Sequence, residues 1–496
     1  MYRHADGPAL HHLLKLGVTA MKKNRHDENC SQGCAHGRRT FLKATAGFMG
    51  STLLGGLPFR AFAQAAEMAP ADRCFVFVYF NGGWDQLLAF DPRDPTEFTA
   101  DRASETKILP GYDQINDTRF EARPLIPAEL PGVGRSNIDF GPAVGTELAR
   151  HYDLMTVVRG INMNTLGHEV GYRYFLTGKM PIGSAARGSS TATEIVGQMK
   201  PRVPIASISY NVESYNDRYG GYANALRVSR RDDLILTLKG SADALDSELE
   251  KQLLDFRGQP VNCEQAAYGA RGVGTTYSNS QEQMRLIQSK GLDKSFDFLV
   301  GANQPHSAEM AVIRTKYNLT SANDVNGERG RAATVATALK KGIAQCVTIN
   351  LTGGLDTHFG SQLTQANNQR RGFDALAMLV KDLRESDHPA GGTFMDHTTI
   401  MVFSEFSRTP LINSSGGRDH HLSNSALLMG AGIKHNFVFG RSGDIGMAPG
   451  TFDLRNGASD PNGENILPEH VIATVLASAG LDYSITRVEP LRPILA

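Results

Sequence analysis

Net charge is what this chain most plainly lacks: 51 Lys and Arg stand against 51 Asp and Glu in 496 residues. The balance is an average over two unlike parts. Residues 1–65 hold nine basic and three acidic side chains, which leaves 42 basic against 48 acidic in the remainder. A body that is net acidic gives no support to nucleic-acid binding. Cysteine is also scarce, at five. Cys30 and Cys34 fall in the basic leader, and Cys74, Cys263 and Cys346 are too few and too far apart for a disulfide scaffold or a cysteine-type zinc site. Cys74 and Cys346 each precede an apolar run and are expected in buried strands. The 51 Gly and 22 Pro follow no triplet period, so a collagen-like chain is excluded. With 41% hydrophobic and 21% charged residues, disorder is excluded too.

What is present begins with an address. Gly37-Arg38-Arg39-Thr40-Phe41-Leu42-Lys43 is followed by the uncharged stretch 44–58 and then by small residues at Ala61, Ala63 and Ala65. A basic region, a weakly apolar region and an A-x-A site in that order read as an export signal, and the paired arginines point to the twin-arginine route. The expectation is a signal peptide over 1–65, recognition by the twin-arginine translocation machinery, and a periplasmic or otherwise exported product. The apolar stretch is too short for a membrane span, and no second run of membrane length follows. No integral span is expected in the mature chain.

Five apolar runs then punctuate the sequence: 74–80, 154–158, 346–351, 398–403 and 425–429. Continuous runs without alternation suit strands covered on both faces. Between the third and fourth, Phe373, Leu376, Ala377, Val380 and Leu383 recur on one helical face, and 332–343 and 470–477 also predict helices. Strands alternating with helices predict an α/β three-layer sandwich with a mainly parallel central sheet. Residues 181–330 show charged helical patterns at 242–256 and 281–289 and few strand-like runs, which predicts a mostly helical insertion or cap. The expected plan is a signal over 1–65, core halves at 66–180 and 331–496, and the insertion between them.

Active sites of such sheets gather at the carboxyl ends of the strands. There the sequence places Asn81-Gly82-Gly83-Trp84-Asp85, Gly353-Gly354-Leu355-Asp356-Thr357-His358 and Ser404-Glu405-Phe406-Ser407-Arg408, with Gly416-Gly417-Arg418-Asp419-His420-His421 close behind. Carboxylates and imidazoles at one sheet edge predict a divalent-metal site. Oxygen and nitrogen donors admit zinc, manganese, magnesium or calcium without choosing among them. Each residue also has an ordinary structural use: Asp85 can cap a helix, Asp356 can close a turn, and Glu405 can pair with Arg408.

Taken in order, these segments resemble the bacterial "domain of unknown function 1501" family, whose members are commonly exported by the twin-arginine route. That family in turn resembles the alkaline phosphatase and sulfatase superfamily. The resemblance implies an α/β sheet with metals at its strand ends, held by Asp85, Asp356, His358, Glu405, Asp419 and His420. It also implies an exported metal-dependent hydrolase with a small anionic ester of phosphate or sulfate as substrate; the chain's departures from the pattern raise the alternative of a non-catalytic periplasmic protein that binds an envelope component. The chain departs from the superfamily at three places, the first being the spacing of Asp356 and His358, which is tighter than the usual Asp-x-x-x-His. Phe406 stands where a histidine ligand is usual, and counting back from Leu176-Thr177-Gly178 puts His168 at the nucleophile position. Three roles remain open there: Thr165 as a substitute hydroxyl, His168 as proton donor or acceptor for an attacking water, or His168 as a further ligand. Arg408 is the candidate for steadying the anion, with Arg173 a weaker one.

Overall fold

The computed structural model describes residues 71–120, 129–130, 134–239, 291–298 and 307–496. The segment expected to be an export signal, Cys263 and the helical patterns at 242–256 and 281–289 lie outside the described residues. Eight strands form one mixed sheet: β1 Cys74–Phe80, β2 Met155–Asn162, β3 Ile205–Tyr210, β4 Leu226–Val228, β5 Ala344–Thr352, β6 Thr398–Phe403, β7 Ser423–Gly430 and β8 Phe437–Phe439. Their spatial order is β8-β2-β7-β6-β1-β5-β3-β4. Only β7 runs against its neighbours, pairing antiparallel with both β2 and β6.

Successive side chains of a strand point to opposite faces, and β1 divides accordingly. Cys74, Val76, Val78 and Phe80 enter one core, while Phe75, Phe77 and Tyr79 enter a second. The first core includes the buried faces of two helices, Glu328–Lys340 and Gln362–Arg384. The second holds those of His168–Thr177, Thr191–Met199 and Pro468–Ser478. Helices therefore cover both faces of the sheet. The long helix Gln362–Arg384 buries Phe373, Leu376, Ala377, Val380 and Leu383, the stripe its 3.6-residue period predicts. Ser361 caps its start by accepting from the Thr364 N–H. Cys74 and Cys346 are fully buried in β1 and β5.

One expectation needs correcting. Residues 181–330 are not solely a helical cap, because β3 and β4 fall inside them and continue the main sheet. β3 pairs with β5 in parallel from Ile205↔Ala344 to Tyr210↔Ile349. The strand escapes a search for apolar runs because Ser207 and Ser209 interrupt it, yet both are buried. No helix among the described residues is long and apolar enough to cross a membrane.

The topology decides where polar residues meet. β6, β1 and β5 are neighbours and run the same way, so the loops after Phe403, Phe80 and Thr352 adjoin at one edge. The Asn81 N–H donates to Thr352 O at 3.0 Å, and the Leu355 N–H to Asn81 O at 3.3 Å. β2 ends at the same edge, with Asn162 opposite Ser423, the first residue of the reversed β7. The residues just after β2 and just before β7 therefore reach the same place.

Candidate metal centre

Two glycines allow these loops to close together. Gly82 has φ +114°, and a Cβ there would lie 2.6 Å from Asp356 N and 2.8 Å from Leu355 N. Gly171, in the helix His168–Thr177, carries no side chain toward Glu405, whose carbonyl oxygen would stand 2.1 Å from a Cβ. That helix can therefore set His168 directly over the end of β6.

Three imidazoles are oriented by the same device. His168 Nδ1 lies 2.7 Å from Glu405 Oε1, His358 Nδ1 lies 2.7 Å from Asp419 Oδ1, and His420 Nδ1 lies 2.6 Å from Leu166 O. A carbonyl or carboxylate oxygen accepts, so each Nδ1 donates and each Nε2 turns inward. There Asp356 Oδ1 sits 3.6 Å from His168 Nε2, 3.3 Å from His358 Nε2 and 3.7 Å from His420 Nε2. His358 Nε2 and His420 Nε2 approach to 2.8 Å. Two lone pairs at that distance repel unless a proton or a cation stands between them.

His168, Asp356 and His420 form a possible metal-binding group, with ligand atoms all within 4.8 Å of one another. Ligands about 2.1 Å from a tetrahedral ion are separated by roughly 3.4 Å, so small side-chain adjustments bring this trio onto one ion. The charge states suit ligation. Burial alone would raise the Asp356 carboxyl, but the hydrogen bond and charge of Arg408, with His168 and His358 nearby, hold it below the usual carboxylate range. Burial lowers the His420 imidazole; the Leu166 carbonyl opposes this, and the charges of Arg408, His168 and His358 reinforce it. The hydrogen bond from His358 is the main influence keeping Asp419 low.

The other expected residues have different duties. Glu405, fully buried, does not face the ion position; its carboxylate accepts from the Gly82 N–H at 2.9 Å and orients His168. Asp419 likewise orients His358. Asp85 is no part of the cluster: it lies 2.9 Å from Arg418 Nε, deep in the core, and its Oδ1 accepts from the Leu87 N–H. No helix follows it: the segment after Asp85 is a turn, which the Asp85 carboxylate and its own carbonyl close by accepting from the Leu87 and Leu88 N–H groups. Thr165 accepts from the Gly167 N–H at 3.1 Å, in the turn that opens the helix His168–Thr177. Arg408 is fully buried and committed: Nε donates to Gly83 O, Nη1 to Arg418 O, and Nη2 to Gly82 O and Asp356 Oδ1. It braces the strand-end loops rather than presenting a free fork. Arg173 is similarly taken, by Glu169 and Glu213. Phe406, read from the sequence as the loss of a ligand, is buried with its ring 4.7 Å from that of His168 and 4.2 Å from that of His420. It is the apolar platform on which two of the imidazoles rest.

The fold and this edge define an α/β protein with a mixed sheet and a possible His/Asp/His metal group at its strand ends. The chain belongs to the family described as "Protein of unknown function (DUF1501)", whose profile matches residues 72–484. No curated protein sequence matches it. Two solved structures superpose on it, titled "Crystal structure of Ps i-CgsB" and "Crystal structure of Ps i-CgsB in complex with k-i-k-neocarrahexaose". Their TM-scores are 0.34 and 0.33, each at 8% identity over 84% of this chain and 77% and 75% of theirs. Superpositions that loose carry no argument about this chain.

Proposed function

We propose that the protein is an exported, metal-dependent hydrolase of phosphate or sulfate esters, in which His168, Asp356 and His420 hold one divalent ion. The observation that carries the reading is the common orientation of the imidazoles. Each Nδ1 is held by a carboxylate or carbonyl, so each Nε2 faces Asp356, the arrangement in which histidines serve as metal ligands. A divalent ion, when bound, lowers the pKa of water and polarises an ester oxygen. His358 Nε2 borders the same position, and Asp419 fixes its ring. His358 is therefore the group to take the proton from an attacking water, and Asp419 steadies the imidazolium that results. Arg408 keeps Asp356 ionised and aimed. No step is assigned to Thr165, whose hydroxyl closes its own turn.

The test is elemental analysis of purified protein beside Asp356→Ala and His420→Ala, followed by a phosphoesterase and sulfatase screen. Near-stoichiometric zinc, manganese or calcium in the native protein, lost in both variants, is expected together with ester hydrolysis. Native protein that takes up no metal even after reconstitution would sink the hydrolase. Export is tested separately, by following the product to the periplasm and asking whether Arg38→Lys with Arg39→Lys retains it inside.

A second reading has an observation of its own. Among the described residues, no serine or threonine hydroxyl hydrogen-bonds to the imidazole or carboxylate atoms of the trio. The arginine nearest to them is consumed by backbone carbonyls. A periplasmic protein that binds an envelope component without turning it over fits those facts. It is favoured if metal binds stoichiometrically while no ester in the panel is cleaved.

A further inference from the structure

A cavity of about 710 Å³ opens beside the centre, with His168, Asp356 and Glu405 on one side. Its other walls come from β1, β3, β4 and β5 and the segments that follow them. Four carboxylates line it, and each is already engaged. Glu169 and Glu213 pair with Arg173 at 3.0 and 2.9 Å. Glu405 holds His168 and the Gly82 N–H. Asp356 pairs with Arg408 at 2.7 Å. On the far wall stands Arg227, in β4, exposed, its backbone in register with Ser209 of β3 and its guanidinium making no hydrogen bond or ion pair among the described residues. Its charge acts on Glu213 only at longer range.

We propose that this cavity is a ligand subsite in which Arg227 holds an oxyanion, a carboxylate, phosphate or sulfate group distinct from the one at the metal centre. Two observations besides the uncommitted guanidinium point to a ligand. Asn350 also lines the cavity, only 7% exposed, and its Oδ1 has no hydrogen-bond partner among the described residues. That oxygen is itself sealed from solvent, and an unsatisfied buried acceptor is costly; turning the Asn350 amide toward the cavity lets a hydroxyl or N–H of the ligand satisfy it. Tyr79 and Tyr172, with ring centroids 4.7 Å apart, give the cavity an aromatic wall for the ligand's body. The ligand so described has a hydroxyl-bearing or N–H-bearing body and a terminal anion that a planar fork can grip through two parallel bonds. The assignment rests on the hydrolase reading only in identifying this cavity as the approach to the centre; the anion subsite can be tested without metal.

The experiment is calorimetric titration of the metal-free full protein with inorganic sulfate and with inorganic phosphate. Native protein, Asp356→Asn, Arg227→Gln and Arg227→Lys are compared. Arg227 is exposed, so its replacement leaves the core untouched, and circular dichroism confirms folding. We expect native protein to bind, Asp356→Asn to bind at least as tightly because one carboxylate of the cavity wall has been neutralised, Arg227→Gln to bind about tenfold or more weakly, and Arg227→Lys to fall between native and Arg227→Gln. Equal affinity in native protein and Arg227→Gln overturns the assignment, as does the absence of anion binding to native protein. Anion binding unchanged in Arg227→Gln but tightened in Asp356→Asn places the anion at the centre instead, beside the Arg408 charge that Asp356 otherwise neutralises, overturning this subsite while leaving the metal reading intact. A failed metal reading with a surviving Arg227 dependence is equally recognisable, because no metal enters the titration.

Discussion

Replacing Arg408 by Met separates a structural brace from a substrate contact. The side chain is fully buried and serves three backbone carbonyls and one carboxylate. Methionine fills much of the same volume but donates nothing. Gly83 O retains the Gln365 side-chain amide at 3.2 Å, whereas Gly82 O and Arg418 O have no other donor among the described residues. Each orphaned buried acceptor costs about 1–3 kcal/mol, so the loss should be about 2–6 kcal/mol before any effect on Asp356. That is a large part of the about 5–15 kcal/mol that usually holds a domain folded. The assay is urea unfolding followed by tryptophan fluorescence. Trp84 is the only tryptophan, fully buried, and its indole N–H donates to Asn424 at 2.7 Å beside the same loops. Arg408→Lys keeps a charge near Asp356 but cannot span both carbonyls, so it should recover less than half of the loss. A loss below about 1 kcal/mol for Arg408→Met, with the slope of the transition unchanged, would refute the brace. If ester turnover alone collapsed, Arg408 would be a substrate contact after all.

Other perturbations test other links. Divalent metal should raise the melting temperature of the native protein and leave that of Asp356→Asn unmoved, because only a folded state that binds the ion gains from mass action; His358→Ala should keep the metal while losing hydrolysis, which elemental analysis and the ester panel read together. Phe406→Ala should cost about 3–5 kcal/mol as a fully buried aromatic and should also weaken metal uptake, since the rings of His168 and His420 lose their platform. Gly171→Val should impair folding or displace His168 through collision with the Glu405 carbonyl, seen as lost metal in whatever protein remains soluble. His151 is held low, to about 4, by burial first and then by the Arg384 charge. The unfolded chain therefore takes up the proton sooner than the native one. Stability should be full above about pH 6.5, fall by about 3 kcal/mol as pH drops toward 4, and level off below that. The check is whether His151→Gln flattens that part of the stability profile.

Much of this was legible in the sequence, and the failures share a physical origin. Apolar runs marked β1, β5 and β6 because strands buried on both faces must be apolar throughout. Asp356, His358 and His420 were singled out because polar residues directly beside such strands collect at the sheet edge, and the structure brings the imidazoles of His358 and His420 within 3.7 Å of Asp356 Oδ1. Asp85 looked identical by that rule. What distinguishes it is Arg418, 333 positions away in the chain, whose guanidinium meets it in the core. Arg408 was misread in the same way: nothing local says that its donors will be consumed by Gly82, Gly83 and Arg418 carbonyls. Glu405 and Asp419 were expected as metal ligands, whereas their carboxylates meet the Nδ1 atoms of His168 and His358. Buried ion pairs and orienting hydrogen bonds are tertiary facts, and the pattern of one segment does not carry them.

The direction of β7 is the clearest case, and the centre depends on it. Residues that follow a parallel strand reach the active edge by rule, but His420 and Asp419 precede theirs. Had Ser423–Gly430 run parallel to β6, the preceding residues would have begun at the opposite edge, and His420 could not have met Asp356 at 3.7 Å. Reversal puts the strand's amino end beside the carboxyl ends of β2 and β6, and one short segment then supplies both the His420 imidazole and the Asp419 carboxylate that orients His358. An apolar run reads the same in either direction, so sequence pattern alone cannot reveal that reversal. The about twenty residues between Phe403 and Ser423 would suffice for a crossover; what fixes the reversal is the antiparallel pairing of Ser407–Arg408 with His420–His421, which returns the chain at the same edge. A parallel neighbour would require a crossover to the far edge, usually through a helix, whereas an antiparallel one requires only a turn. The same hairpin holds Arg408 opposite His420, so the brace of the loops and a ligand of the proposed ion are fixed by one pair of strands.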